Sequence, residues 1–324
     1  MKETPFSTVL TALTNTDQSF PSRLLKRFSD LGEKEIAEFM KTWPQVPLIR
    51  KRTLMKNLYE LFIDDTLMSF EGIATRLMKD DDGEVRHWAV KMLEDTTDTT
   101  LIPELVRLAE SDPNPAVCAT VGTVLGQFVR LAEMGEIGDQ SKKLIEETLL
   151  KMARAEDPAI ARTALESLGY SSRPEVDALI LQAFNRVDPL WQATALFAAG
   201  RSADNRWQEQ VLTGMLSEED DVRLVAVQSA GELELKVARK PLLDMLEEEP
   251  NDDIFQAIIW SLSQIGGEDV RTYLQAVLAE AEDDEQVEYL EEALANLAFT
   301  EDLKNFDMMA VDPDLDLDLD EDDE

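Results

Sequence analysis

A repeat of about 31 residues restricts the fold of this chain more than any other feature. Equivalent apolar residues recur with successive gaps of 32, 43, 31, 31 and 32 residues, at Val85, Val117, Ile160, Trp191, Val222 and Ile254. Further apolar residues follow four and eight positions after each marker, as Ala89 and Leu93 follow Val85. Because residues at i, i+4 and i+8 lie on one face of an α-helix, each repeat is predicted to contribute one helix with a buried stripe.

Both ends of these helices carry capping signals. A residue that can cap the first turn stands three positions before most markers, at Asp82, Asn114, Asp157, Asp188 and Asn251. Proline follows directly in three repeats, at Pro115, Pro158 and Pro189. Glycine stands nine positions after four markers, at Gly126, Gly169, Gly200 and Gly231, where it predicts a left-handed residue that ends the helix. The repeat of Val222 departs from this pattern, because Glu219 occupies its cap position.

Shorter apolar segments run between these helices, and each is predicted to form a preceding, antiparallel helix. They span residues 101–109, 144–153, 176–184, 211–216, 241–246 and 270–278. Since one hairpin of helices cannot bury its own apolar faces, the hairpins must stack on a shared core. The sequence therefore predicts an all-α fold, an α-solenoid of about seven to eight stacked helix hairpins. We assign residues 46–300 to this solenoid, residues 1–45 to an N-terminal helical cap and residues 301–324 to an acidic, disordered C-terminal tail.

The repeats resemble the HEAT-repeat family, in particular the short HEAT-like repeats of the phycobilisome-lyase type. The resemblance rests on Asp81-Asp82-Gly83-Glu84-Val85-Arg86 and on Asp220-Asp221-Val222-Arg223, and it covers roughly residues 45–300. It implies an α-solenoid, but the family includes scaffolds, adaptors and a few enzymes, so it implies no single function. Two weaker units are anchored by Arg50, Leu54 and Leu58 and by Tyr289, Ala293 and Leu297.

One gap between markers is longer than the others because residues 130–140 are inserted there. Insertions in solenoids fall on loops and often on the binding side. A longer helix followed by a turn is the simpler interpretation, and it is the one we expect.

The charge is strongly acidic and unevenly distributed. The chain holds 31 Lys and Arg against 67 Asp and Glu, a net charge of −36. Residues 1–60 hold 10 basic and 7 acidic side chains, a balance of +3, which leaves −39 for residues 61–324. Such a field repels phosphate and attracts cations, which predicts a basic protein partner and argues against nucleic-acid binding. The basic cluster Arg50-Lys51-Arg52 is expected to aid solubility, with contact to phosphate or an acidic partner as the alternative.

Three further features predict a cytoplasmic protein without membrane insertion. No apolar run approaches the roughly 18 residues that a membrane-spanning helix needs. The N-terminus lacks the pattern of a signal peptide. Cys118 is the only cysteine, so an intramolecular disulfide is excluded. The sequence leaves the oligomeric state open.

Catalytic chemistry has little support in the sequence. His87 is the only histidine, so the His–Glu metal site that a resemblance to HEAT-repeat hydroxylases would imply cannot be assembled. Cys118 lies one repeat after His87, and we expect a small buried thiol beside an exposed imidazole rather than a nucleophile pair. No Gly-rich phosphate loop or nucleophile elbow is present. We therefore expect a non-enzymatic protein with no catalytic residues, no metal and no cofactor.

A second set of side chains on the capped helices indicates a binding surface. In HEAT-type solenoids this helix lines the concave face, yet apolar and aromatic residues recur five and six positions after the marker, with aromatic and arginine residues just past the helix ends. The candidate partner-binding residues are Leu165, Tyr170, Leu196, Phe197, Arg201, Arg206, Trp207, Ile259 and Trp260. Exposed aromatic and arginine residues are typical of protein-binding hot spots. The alternative is that these side chains belong to the core between repeats.

The predicted function is that of a non-enzymatic scaffold or adaptor, which binds a partner segment in a concave groove between residues 160 and 265. The alternative from another class is a HEAT-type lyase or small-ligand-binding protein that uses the same groove, and self-association is a third interpretation. The last 14 residues contain nine acids and are expected to be solvated. Leu315, Leu317 and Leu319 would otherwise form a short partner-binding motif or a lid.

Overall fold

The computed structural model describes residues 4–281 and 283–310, and every regular element in these residues is helical. The α-helices are α1 Phe6–Thr14, α2 Glu33–Thr42, α3 Leu48–Asp64, α4 Glu71–Leu77, α5 Gly83–Lys91, α6 Ile102–Ser111, α7 Pro115–Glu133, α8 Asp139–Met152, α9 Pro158–Leu168, α10 Pro174–Phe184, α11 Pro189–Arg201, α12 Gln208–Gly214, α13 Asp220–Glu232, α14 Arg239–Leu246, α15 Asp252–Ile265, α16 Glu268–Glu280 and α17 Asp284–Ala310. Short 3-10 segments lie at Ser22–Phe28, Trp43–Gln45, Thr99–Leu101, Asn205–Trp207 and Lys236–Ala238.

The helices form two compact units that divide between Leu179 and Ile180. In the first unit, α5, α7 and α9 pack side by side, and α6 and α8 cover them. In the second unit, α11, α13, α15 and α17 pack side by side, and α12, α14 and α16 each pack against the helix that follows. We call the first set in each unit the inner helices and the second set the outer helices. Each unit is thus a stack of helix hairpins, which confirms the predicted α-solenoid class.

The sequence did not indicate this division, which falls inside the predicted solenoid of residues 46–300. The boundaries at residues 45 and 300 stay predictions. Helix α17 continues to Ala310, so the first part of the predicted tail is helical. Residues 311–324, with the leucines proposed as a motif, lie outside the described residues.

The predicted buried stripe is confirmed in every repeat. Val85, Ala89 and Leu93 are buried, and so are the corresponding residues of the other repeats except Ile160, which is half-buried. In the last repeat the register is shifted by one position: Leu290, rather than Tyr289, joins Ala293 and Leu297 in the core. Tyr289 is half-buried, and its hydroxyl donates to the carbonyl of Gln256 at 2.8 Å.

The predicted N-caps are also confirmed. All five short polar side chains accept a hydrogen bond from the first turn of their helix, as Asp157 accepts from the N–H groups of Ala159 and Ile160. Helices α7, α9 and α11 begin at the three prolines. Glu219, at the cap position of the repeat that departs from the pattern, makes no such side-chain bond.

The prediction that four glycines end the inner helices was wrong. Gly126, Gly200 and Gly231 lie inside helices, and Gly169 ends α9 with a right-handed φ of −52°. Gly126, Gly200 and Gly231 instead allow close approach between neighbouring inner helices. A methyl group on Gly231 would lie 2.8 Å from the Cα of Ser261, and one on Gly200 would lie 2.9 Å from the Oγ of Ser229.

Serine side chains complete these contacts across the inner helices of the second unit. Ser229 donates to the carbonyl of Leu196 at 2.9 Å, and Ser261 donates to that of Val227 at 2.8 Å. Both serines are buried. Because glycine leaves room for the neighbouring backbone and serine satisfies a carbonyl there, these helices can pack at short range.

The inserted residues 130–140 lengthen a helix, as expected. Helix α7 continues to Glu133 and is followed by Gly135, whose φ of +81° turns the chain into α8. By length and mean hydropathy α7 meets the criterion for a membrane span, so the expectation that no apolar stretch approaches that length was wrong. Helix α7 packs against α5, α6, α8 and α9. Of its most apolar 18-residue stretch, 67% is buried, as in a core helix.

The basic cluster has a structural role that neither sequence interpretation foresaw. Arg50 donates to backbone carbonyls, including that of Gln18 at 2.6 Å. Lys51 lies over the ring of Trp43 at 4.9 Å. Arg52 makes two hydrogen bonds to Asp82, at 2.7 and 3.0 Å. These three cations are therefore satisfied within the chain.

Candidate partner-binding surface

Four of the nine candidate residues lie in the core. Leu165, Leu196, Trp207 and Ile259 are all at most 3% exposed. Leu196 packs against Gly214, where an added methyl group would lie 2.7 Å from its Cδ1 atom. For these four residues the burial fits the alternative interpretation, that they form the core between repeats.

Phe197 and Arg201 form the first partly exposed pair, on α11. Both are half-buried, and the guanidinium carbon of Arg201 lies 4.0 Å from the centre of the Phe197 ring. They are four residues apart, so they share one face of the helix. The stacking holds the planar cation flat on the aromatic ring, and both side chains reach solvent.

Glu232 on α13 adds a carboxylate next to this pair. A methyl group on Gly200 would lie 2.5 Å from its Oε2 atom, so the absence of a side chain at Gly200 provides the space for Glu232. Partial burial raises the pKa of Glu232, and the nearby Arg201 opposes that rise. The local environment is therefore a guanidinium, an aromatic ring and a carboxylate on two neighbouring helices.

Trp260 forms the second exposed group, on α15. It is 39% exposed, and its ring centre lies 6.5 Å from that of Tyr289 on α17. Trp260 is one helical turn after Gln256, whose carbonyl accepts the Tyr289 hydroxyl. Gln228 on α13 occupies the repeat position that corresponds to Phe197 and Trp260, and it is exposed. We call Phe197, Arg201, Gln228, Trp260 and Tyr289 the inner-helix surface.

An acidic cleft adjoins Trp260 and Tyr289. Its volume is about 350 Å³, and it is lined by Asp252, Phe255, Gln256, Ile259, Asp283, Glu285, Gln286 and Tyr289. The three carboxylates stand at the first turns of α15 and α17 or just before them, and the aromatic rings lie further along the same helices. A cation with an apolar stem, such as a lysine or arginine side chain, matches this combination.

The remaining two candidates are not part of this surface. Tyr170 is half-buried and lies two residues after the end of α9, in the first unit. Arg206 is exposed and pairs with Asp204 at 2.5 Å, two residues before it. That pair lowers the pKa of Asp204 and anchors the turn before α12.

His87 and Cys118 do not form an activated nucleophile. The Thr120 hydroxyl lies 2.8 Å from Nδ1 of His87, and burial lowers the pKa of the imidazole. The Cys118 thiol points to the carbonyls of Leu108 and Asp112, and burial raises its pKa. A nucleophilic cysteine needs the opposite shift, because the thiolate is the reactive form. Among the described residues, no group of three or more His, Cys, Asp or Glu could hold a metal.

The sequence missed the contribution of Tyr289 to the inner-helix surface. The helical spacing of Tyr289 with Ala293 and Leu297 predicts a core position for its ring. A signal for this contact is the sequence separation of 33 residues between Gln256 and Tyr289. Two buried serines donate to carbonyls of the preceding inner helix at nearly the same separation: 33 residues for Ser229 and Leu196, and 34 for Ser261 and Val227.

Comparison with known proteins agrees with the repeat pattern. Residues 70–143 and 209–295 match the profile of the HEAT repeats family. No curated protein matches the sequence. Among solved structures, the chain is similar to Escherichia coli YibA, with 14% identity, a TM-score of 0.45 and coverage of 87% of this chain and 98% of that one.

Two other structures show similarity at the same level. Human deoxyhypusine hydroxylase in complex with glycerol has 15% identity and a TM-score of 0.34, over 80% of this chain and 95% of that one. A chain from the structure of Kap95p with RanGDP has 12% identity and a TM-score of 0.46, over 90% of this chain and 45% of that one. The family assignment rests on the profile match and on the confirmed repeats: the chain is a HEAT-repeat protein.

Proposed function

We propose that this chain is a non-enzymatic scaffold or adaptor that binds a basic segment of a partner protein on the inner-helix surface. HEAT repeats commonly serve as protein-interaction scaffolds. The observation that carries the proposal is Trp260, a large aromatic side chain left 39% exposed beside Tyr289 and the acidic cleft. Tryptophan, tyrosine and arginine are the residues that dominate binding energy in protein interfaces.

The two ends of the surface suit different parts of such a segment. Phe197 and Arg201 offer an aromatic ring with a cation stacked on it, which suits an apolar or acidic side chain of the partner. The cleft beside Trp260 offers carboxylates from α15 and α17, which suit lysine or arginine. The net charge of −36 would speed the approach of a basic partner and repel nucleic acid.

The proposal also covers location and chemistry. A buried, unpaired cysteine suits a reducing compartment, so we retain the cytoplasmic location as a proposal. Burial raises the pKa of Cys118, which keeps the thiol in its unreactive protonated form, and the Thr120 hydroxyl occupies Nδ1 of His87. We therefore propose that neither side chain takes part in catalysis.

Affinity capture tests this proposal. The full chain and the Phe197→Ser/Trp260→Ser variant are used as bait in lysate of the source cell, after circular dichroism shows equal helicity. The matched control is Leu67→Ser/Val187→Ser, which removes two apolar side chains that are 84% and 95% exposed away from the surface. We expect a partner that the control retains and the surface variant loses. A partner retained by both variants, or a bound small molecule in the purified chain, would refute the proposal.

A further inference from the structure

An apolar cleft lies on the outer helices of the second unit, apart from the inner-helix surface. It has a volume of about 420 Å³ between α12 and α14. Its lining consists of Leu212, Met215, Leu216, Pro241, Asp244, Met245 and Glu248. Among these residues, five are apolar and two are acidic.

The cleft exists because the inner and outer helices pack differently. Gly200 and Gly231 let α11, α13 and α15 approach closely, as the contacts to Ser229 and Ser261 show. Helices α12 and α14 each pack on the next inner helix but approach one another at few points. The space between them is therefore open to solvent.

Apolar side chains in the cleft are accessible rather than covered by the chain itself. Leu216 is 82% exposed, the preceding Met215 is buried, and Met245 of α14 is half-buried. Two methionines in one cleft give it adaptable walls, because the unbranched thioether side chain can adopt several shapes. An accessible leucine above such walls is typical of a surface that a partner covers.

The segments that border the cleft are strongly acidic. Residues 216–221 and 244–253 contain ten Asp or Glu residues and no Lys or Arg. Arg239 and Lys240, which precede the lining residue Pro241, pair with Asp269 and Asp244. Arg223 likewise pairs with Asp220 and Glu249. Glu248 lines the cleft itself, is exposed, and has no ion pair with the described residues. The uncompensated charge at the apolar cleft is therefore negative.

We propose that this cleft is a docking site for a cationic amphipathic helix of a partner protein. One bulky apolar side chain of that helix enters between Leu216 and Met245, and a lysine or arginine one turn away pairs with Glu248. The volume of about 420 Å³ lies within the range of pockets that bury small ligands, about 300–1,000 Å³, so a bulky apolar side chain can enter it. Apolar anchors at helical spacing in a groove, with charges at its edge, are a recurring mode of helix recognition.

The inference does not depend on the function proposed for the inner-helix surface. The cleft is formed by outer helices, and none of its lining residues belongs to the inner-helix surface. A partner with two binding segments could occupy both sites, but either site can be tested alone. The Phe197→Ser/Trp260→Ser variant is expected to bind at the cleft as the full chain does, which keeps the two tests distinct.

A synthetic Leu/Lys peptide tests the inference with the full chain. The peptide has about 18 residues, so that it can form a helix, with leucines at i, i+3, i+4 and i+7. The comparison peptides are a scrambled sequence of the same composition and an analogue with glutamate in place of lysine. The variants are Leu216→Ser and Glu248→Lys, and the matched controls are Val187→Ser and Glu291→Lys, which alter exposed residues elsewhere in the second unit.

We expect each cleft variant to weaken binding of the amphipathic peptide at least about tenfold, equivalent to ~1.4 kcal/mol. The controls should bind it as the full chain does, and the comparison peptides should bind more weakly. Equal affinity for the cleft variants and their controls would overturn the inference, because it would show binding through net charge alone. Self-association lost in Leu216→Ser, measured by light scattering, would assign the cleft to a second copy. Tighter peptide binding by a chain ending at Ala310 would show that residues 311–324 occupy the cleft. A cleft occupied by a second copy or by residues 311–324 would also overturn the inference.

Discussion

Removing the guanidinium of Arg86 should destabilise the first unit strongly. Arg86 makes two hydrogen bonds to Asp112, at 2.7 and 2.8 Å, and a third to the carbonyl of Asp80 at 2.7 Å. The side chain of Arg86 is only 10% exposed and that of Asp112 only 2%. Asp112 raises the pKa of Arg86 through these hydrogen bonds, so the guanidinium stays charged in the folded protein.

The magnitude follows from what the substitution leaves behind. In Arg86→Met, the carboxylate of Asp112 stays almost fully buried and keeps the N–H of Asn114, at 2.9 Å, as a hydrogen-bond donor. Breaking a buried pair by removing one partner costs about 3–5 kcal/mol. The double substitution Arg86→Met/Asp112→Leu removes both charges, so it should cost much less than Arg86→Met alone.

The assay is urea unfolding followed by circular dichroism, with hydrogen exchange of α5 and α7 to localise the effect. Arg107→Met is the matched control, because the Arg107 side chain is exposed, and its pair with the half-buried Glu104 should contribute only about 0–1 kcal/mol, as surface pairs do. A loss in Arg86→Met no larger than that of the control would refute the reasoning. So would a double variant as unstable as the single one.

Two further predictions concern packing and pH. Gly231→Ala should destabilise the second unit by about 1–3 kcal/mol, because the added methyl group meets the backbone of Ser261. Chemical denaturation of this variant and of the exposed control Gln228→Ala measures the loss, and equal stabilities of the two variants would contradict the prediction. Burial lowers the pKa of His87, so the unfolded chain binds its proton more readily and the chain should lose stability as the pH falls below about 6.5. Thermal unfolding of the full chain and of His87→Gln from neutral to mildly acidic pH measures the difference, and parallel curves would contradict it.

The sequence predicted the helices well because each signal acts locally. A cap side chain such as Asp157 bonds to N–H groups two and three residues away, and proline at the first turn fixes its own φ. The apolar stripe likewise follows from helical spacing alone. Contacts within one helix can therefore be read from the order of residues.

The positions of the glycines and the exposure of the surface residues could not be predicted from local sequence signals. Gly200 and Gly231 have the spacing of helix ends, yet their position is decided by neighbouring helices about 30 residues away in the chain. The same holds for the surface residues: Ile259 and Trp260 are adjacent, but one is 1% and the other 39% exposed. A rotation of one residue along a helix, about 100°, separates core from surface, and packing between repeats sets it.

The central claim is that the inner-helix surface binds a partner, and the affinity of a captured partner for defined variants tests it most directly. Calorimetric titration would compare the full chain with Trp260→Ser, Phe197→Ser/Trp260→Ser and the control Leu67→Ser/Val187→Ser. Since a hot-spot residue contributes about 2 kcal/mol or more, we expect Trp260→Ser to weaken binding at least about 30-fold and the double variant to weaken it further. The control should bind as the full chain does. Affinities equal to that of the full chain in both surface variants, with native helicity, would contradict the account.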